Sequence, residues 1–107
     1  MFHHAFHITL HPGAGADYVR LHDPVPDAIL AQLERAGVSD YSIFLDDVHV
    51  FGVYRYADED RMRRELADDA DPEWTAAVVA RMAERPPADD GVIRGLPRVF
   101  RFAGGDA

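Results

Sequence analysis

Tyr18 and His22 stand four residues apart in a stretch, Asp17 to Pro26, whose apolar spacing is helical up to two closely placed prolines. Four residues apart on a helix means one face, with the two side chains in reach of each other. A phenol and an imidazole held together can each donate and accept, and the imidazole exchanges its proton near neutral pH. The pair reads as a small acid–base site, around which the remaining chain must build a pocket.

Other chemistries are bounded by what the chain lacks. All eleven cationic residues are arginine, so no lysine is present to form a Schiff base. Ser39 and Ser42 are the only serines and neither sits in a Gly-x-Ser-x-Gly turn, which argues against a serine nucleophile. The absence of cysteine removes disulfides and thiolate chemistry and fits a reducing compartment. A net charge of −8 disfavours nucleic acid or an anionic membrane as partner and suits a neutral small molecule. No apolar run approaches membrane-spanning length and the Met1–His4 start does not resemble a signal peptide, so a cytoplasmic protein is expected.

Two side-chain groups invite a metal reading. His3, His7 and His11 share one face of the first strand, but they are spread along it and no second cluster converges in sequence. Solvated or dimer-facing histidines are the expectation. Asp68, Asp69 and Asp71 lack the glycine and terminal glutamate of a calcium loop and read as a helix-capping turn. Neither a metal nor a cofactor is expected.

The elements that must position the pair follow from periodicity. At 107 residues and 48% hydrophobic content, the chain reads as one domain, residues 1–107. Residues 2–10 alternate as a strand. A helical pattern through Tyr18, Ile29 and Leu33 stops at Gly37. Pro24 and Pro26 should break it, with Asp23 capping a second segment and Pro24 at its first position. His22 then falls at the C-terminal end of the first segment, beside the negative end of the helix dipole. Residues 40–46 and 48–56 form a hairpin with its turn at Asp46–Asp47. Tyr41, Ile43 and Leu45 share one face of its first strand, and Gly52 marks a bulge or a close approach. Asp58 caps a helix ending near Ala67, and Asp71 caps another running to about Glu84. Residues 86–95 read as a loop, residues 97–102 as the last strand and Gly104 to Ala107 as a loose tail.

The order β-α-β-β-α-α-β is that of an α+β, ferredoxin-like (split βαβ) domain, its second helix broken in two. Its antiparallel sheet carries helices on one face, leaving the other to be covered, most economically by an identical sheet. A homodimer is expected.

The chain from Ala5-Phe6 to Val99-Phe100 resembles the L-rhamnose mutarotases. The matching features are Tyr18, Arg20-x-His22-x-Pro24, Tyr41-Ser42-Ile43-Phe44-Leu45-Asp46, Phe51, Trp74 with Met82, and Leu96-Pro97-Arg98-Val99-Phe100. The resemblance implies a dimeric α/β barrel that interconverts α and β pyranose anomers without a cofactor. It places the acid–base histidine on His22, sugar-contacting tyrosines on Tyr18 and Tyr41, and an aromatic sugar platform on Trp74 and Thr75. Thr75 stands where that family usually has a second tryptophan, and Pro26-Asp27-Ala28 where it usually has Trp-Pro-Glu. Without the resemblance, the spacing alone favours His22 as a core or cap histidine satisfied by a neighbour, and Tyr18 and Tyr41 read as core aromatics with hydroxyls at the rim. Trp74 is then balanced between burial at a helix start and a sugar contact. Those departures leave a mutarotase for another aldose as an alternative; the same fold also hosts cofactor-less oxygenases, and a non-catalytic sugar-binding module is a further alternative.

Overall fold

In the computed structural model, the described residues are 1–84, 88–89 and 91–104. Strand β1, Phe2–Leu10, buries alternate residues: His4, Phe6, Ile8 and Leu10 face the core, while His3 and His7 point the other way. Helix α1 spans Gly15–Leu21 and α2 spans Asp27–Arg35. Gly37, at φ 72°, ends α2, with Val38 N–H donating to Leu33 and Gly37 N–H to Glu34, the paired bonds of a glycine C-terminus. Strands β2, Ser39–Asp46, and β3, His49–Tyr56, form the expected hairpin, with Asp47 at φ 56° in the turn.

Helix α3, Glu59–Leu66, is capped by the Asp58 carboxylate. Helix α4, Pro72–Val79, is capped by Asp71 with Pro72 at its start. A short strand β4, Met82–Glu84, follows, and Ala88–Asp89 (β5) pairs with Val92–Ile93 (β6). The main sheet is antiparallel in the order β2-β3-β1-β4. Its even-numbered face, with Phe6, Ile8, Val50, Tyr54 and Tyr56, meets Tyr18, Met62 and Val78 from α1, α3 and α4. Gln32 on α2 joins that layer by donating to the Glu65 and Asp68 carbonyls, 2.8 and 2.6 Å away.

Four expectations change. The second helical segment starts at Asp27 behind Pro26, and Asp23 caps nothing there. Each proline biases its predecessor away from the α region, so Asp23 and Val25 are both held out and the helix begins only after Pro26. Helix α4 stops at Val79 rather than Glu84, because residues 82–84 pair with β1 at Thr9 and Leu10. Arg-Met-Ala-Glu favours helix in isolation, but a free strand edge outbids that weak preference. Residues 97–102 are not a strand: after Leu96 N–H donates to Ala5, the chain leaves the sheet. The stretch 86–95, expected as a loop, carries the β5–β6 pair, with 86, 87 and 90 outside the described residues. Residues 105–107 of the expected tail are outside them as well.

Candidate functional site

His22 is the residue that closes α1, its backbone N–H donating to Val19. Its ring Nδ1 lies 2.7 Å from the Tyr18 carbonyl oxygen. A carbonyl can only accept, so Nδ1 carries the proton and, in the neutral ring, the free lone pair sits on Nε2. The phenol of Tyr18 lies along the imidazole with ring centroids 4.4 Å apart, and the indole of Trp74 meets it edge-on at 5.2 Å. One helix turn therefore sets both the orientation of the imidazole and its tautomer.

Trp74 reaches this place from the first turn of α4, where its backbone N–H donates to the Asp71 carboxylate. Its indole N–H donates to the Leu21 carbonyl at 2.7 Å. That carbonyl is one of the unpartnered acceptors at the end of α1. Trp74 thus braces the helix end that carries His22. Thr75 beside it donates its hydroxyl to Asp69, which also accepts from the Asp71 backbone. The acidic turn is the capping turn expected of it.

Tyr41 comes from the edge strand. The β2–β3 register shifts between Ser39 and Ser42, and Asp40 sits in the left-handed region at φ 50°, its carboxylate 3.8 Å from Arg55. A residue inserted this way bends a strand and re-aims its neighbours. The Tyr41 ring packs 5.0 Å from Tyr54 and meets Phe6 edge-on at 6.4 Å. Phe6 can lie there because a Cβ on Gly52 would sit 2.2 Å from its ring. Of the two readings of Gly52, close approach is the one realised.

Burial pushes the Tyr18 phenol up to about 12. Tyr41 keeps 38% of its surface, yet its hydroxyl lies in dense surroundings. That burial raises its pKa well above the ordinary value, and the neighbouring Tyr18 and Tyr54 hydroxyls add to the shift. Both phenols remain protonated donors at neutral pH. The structure thus joins Tyr18, His22 and Trp74 in direct ring contact and brings Tyr41 to the same layer. Tyr54 escaped the sequence reading. It is buried, stacked on His4 at 5.1 Å, and stands between His4 and Tyr41. Its signal was the alternation Val50, Gly52, Tyr54, Tyr56 on one strand face.

On the other sheet face, His7 does not line up with His3 and His11 as a cluster. It stacks on His49 from β3, with Nε2 and Nδ1 3.0 Å apart. His3 instead accepts from Arg98 at 2.8 Å. Burial, then the Arg98, Arg55 and Arg101 guanidiniums, hold its pKa below the usual histidine value. Among the described residues, no three His, Asp or Glu side chains converge as metal ligands would.

Fold and site together define a small α+β domain with a tyrosine–histidine–tryptophan cluster where α1 and α4 meet over the covered face of an antiparallel sheet. The sequence profile of the L-rhamnose mutarotase family matches residues 3–102. An L-rhamnose mutarotase of Acidiphilium cryptum is 39% identical over 106 residues, covering 92% of this chain and 95% of that protein. One from Burkholderia ambifaria (strain MC40-6) is 36% identical over 100 residues, covering 92% and 93%. The crystal structure of an L-rhamnose mutarotase from Formosa agariphila superposes with a TM-score of 0.72 at 24% identity, over 95% of this chain and 99% of that one. The chain belongs to the L-rhamnose mutarotase family.

Proposed function

We infer that the protein is an L-rhamnose mutarotase, an isomerase that interconverts the α and β pyranose anomers by opening and reclosing the ring. Family membership favours this over the oxygenase and non-catalytic alternatives. Opening the hemiacetal requires removal of the proton on the anomeric hydroxyl and protonation of the ring oxygen. His22 Nε2, with its lone pair free, takes the anomeric proton. A tyrosine hydroxyl, Tyr18 or Tyr41, donates to the ring oxygen as the C1–O5 bond breaks. The aldehyde end rotates about C1–C2, the ring oxygen attacks the other carbonyl face, and both protons return. The Tyr18 carbonyl stabilises the imidazolium in between through its Nδ1–H contact.

The hydrogen bond from His22 Nδ1 to the Tyr18 carbonyl carries this reading, because it leaves Nε2 as the basic nitrogen. Trp74 offers an apolar ring to the C–H face and methyl group of the sugar. No metal, cofactor or covalent intermediate enters these steps. The working form is a cytoplasmic homodimer. The strand order β2-β3-β1-β4 supports a ferredoxin-like subunit, and exposed Phe44 and Phe51 on the outer sheet face support a dimeric barrel closed across that face. Among the described residues, no helix is long and apolar enough to cross a membrane.

The test is exchange between the anomeric protons of L-rhamnose by NMR. Wild type should accelerate it and His22→Ala should lose about 10²–10⁴-fold, the usual contribution of general acid–base catalysis. Equal rates for the two proteins would remove the assignment.

A further inference from the structure

Tyr41 is the candidate site residue that regular backbone structure does not hold. Ser39 pairs with Arg55 and Ser42 with Val53, so Asp40 and Tyr41 together stand opposite a single residue of β3, Tyr54. In a bulge of this kind the ladder is disrupted, and inter-strand hydrogen bonds no longer fix where the side chain points. Tyr18, by contrast, sits within α1 and His22 closes it, while Trp74 is tied through both its backbone and its indole N–H. The aim of Tyr41 therefore depends on side-chain packing.

That packing is a row of rings crossing three strands. His4 on β1 pairs directly with Tyr54 on β3, and their rings stack at 5.1 Å and 28°. Tyr54 in turn carries Tyr41 at 5.0 Å and 39°. The far end of the row is anchored. His4 Nε2 donates to the Ile93 carbonyl at 2.7 Å, and a Cβ on Gly95 would stand 2.9 Å from His4 Cε1, so the chain closes directly on the imidazole. Tyr54 is fixed at its tip as well, because its hydroxyl donates to the Met62 sulfur, 3.8 Å away on α3. His4 and Tyr54 are buried, and of the three rings only Tyr41 keeps much exposed surface. The Tyr54 hydroxyl is thus turned toward a helix, and it is the ring of Tyr54 that meets Tyr41.

We propose that Tyr54 is the positioning residue for Tyr41: its ring, backed by His4, fills the space opposite the Asp40–Tyr41 bulge and sets the direction in which the Tyr41 hydroxyl meets the sugar. This rests on the mutarotase reading above and goes beyond it, since Tyr54 acts only through Tyr41. The precision at stake is high, because a reacting group misplaced by about 1 Å can lose about 10²-fold in rate. A ring stacked on a ring fixes a plane and an offset, which an aliphatic side chain of similar size does not.

The test is a double-mutant cycle on the full chain, reading kcat and KM for anomer exchange of L-rhamnose by NMR. Tyr54→Leu should lower kcat by about 10–100-fold, with the smaller change in KM. Tyr54→Phe keeps the ring and deletes only the bond to Met62, so it should stay near wild type. In a Tyr41→Phe background Tyr54→Leu should cost little more, because the hydroxyl it aims is already gone. His4→Asn removes the backing of the row and should act in the same sense with a smaller loss, again only while Tyr41 is intact. It carries the comparison if Tyr54→Leu does not fold. An unchanged kcat, or a loss equally large with Tyr41→Phe present, would show Tyr54 acting other than through Tyr41 and would overturn the proposal. Tyr54→Phe as impaired as Tyr54→Leu would give the effect to the hydroxyl and overturn it too. A wild type that does not accelerate exchange would overturn the mutarotase reading itself, and this proposal with it.

Discussion

The two faces of the sheet are built from the same strands and have opposite characters. On β1, His4, Phe6, Ile8 and Leu10 are buried beneath helices, while His3 and His7, one residue out of step, stand on the open face. The covered face is ordered by many short contacts: Phe6 over Gly52, Tyr41 against Tyr54, Tyr54 against His4. The open face has histidines that pair with each other or with arginine, and phenylalanines left to solvent. A histidine acquires a different role on each side. His22, at the end of α1, has its tautomer set by a backbone carbonyl. His7 shares a proton with His49, so neither ring nitrogen is committed. What separates the two is the partner: a backbone carbonyl fixes a tautomer, and a second imidazole does not.

The largest expected effect sets those two histidines against each other. His22→Ala should lower catalysed anomer exchange by the 10²–10⁴-fold given above, whereas His7→Ala should leave the rate essentially unchanged. A comparable loss from His7→Ala would place the chemistry on the wrong side of the sheet.

Gly52→Ala comes next. The added methyl would stand 2.2 Å from Phe6, so either that ring or the strand must move. Overpacking of this kind typically costs about 1–3 kcal/mol, to be read from urea unfolding, and exchange should fall as Tyr41 loses its neighbour. The same substitution would be harmless if the outer face were the packed one.

Trp74→Phe keeps an aromatic edge near His22 and deletes the donor to Leu21. Loss of that bond should cost roughly 0.5–1.5 kcal/mol of stability. A brace predicts lower stability with a modest drop in kcat. A pure sugar contact predicts unchanged stability and a raised KM.

The smallest effect is alkaline. Tyr18 is raised by burial to about 12 in the folded state against an ordinary value near 10, so folding favours its neutral form. The stability it contributes is complete below about pH 10 and is lost as pH climbs toward 12. Tyr18→Phe should flatten the stability profile across that window in thermal melts, while wild-type melts between pH 7 and 9 show no trend from this group.

Much of the covered face is legible in the sequence. The Tyr18–His22 spacing, the Asp58 and Asp71 caps, Gly37 as a helix stop and the β2–β3 hairpin all depend on residues within a few positions of one another. Helical and strand periodicity report such neighbours directly. Ahead of α2 two local signals compete. Asp23-Pro24 and Val25-Pro26 both resemble helix starts, and the second was used because each proline restrains the residue before it.

The open face and the sheet edges were not legible in the same way. Residues 82–84 became the fourth strand and 97–102 did not, although the latter has the stronger strand composition. That outcome depends on which segment reaches the free edge of β1 once α4 is in place, a matter of chain path rather than of propensity. The pairing of His7 with His49, the ring of Phe6 over Gly52 and the indole of Trp74 on the end of α1 likewise join residues far apart in sequence. Sequence alone determined that a tyrosine and a histidine share one helix face and which helix carries them. Tertiary structure decided which nitrogen of His22 is left free, which face is closed and which segment stays out, because those follow from contacts that exist only after the chain has folded.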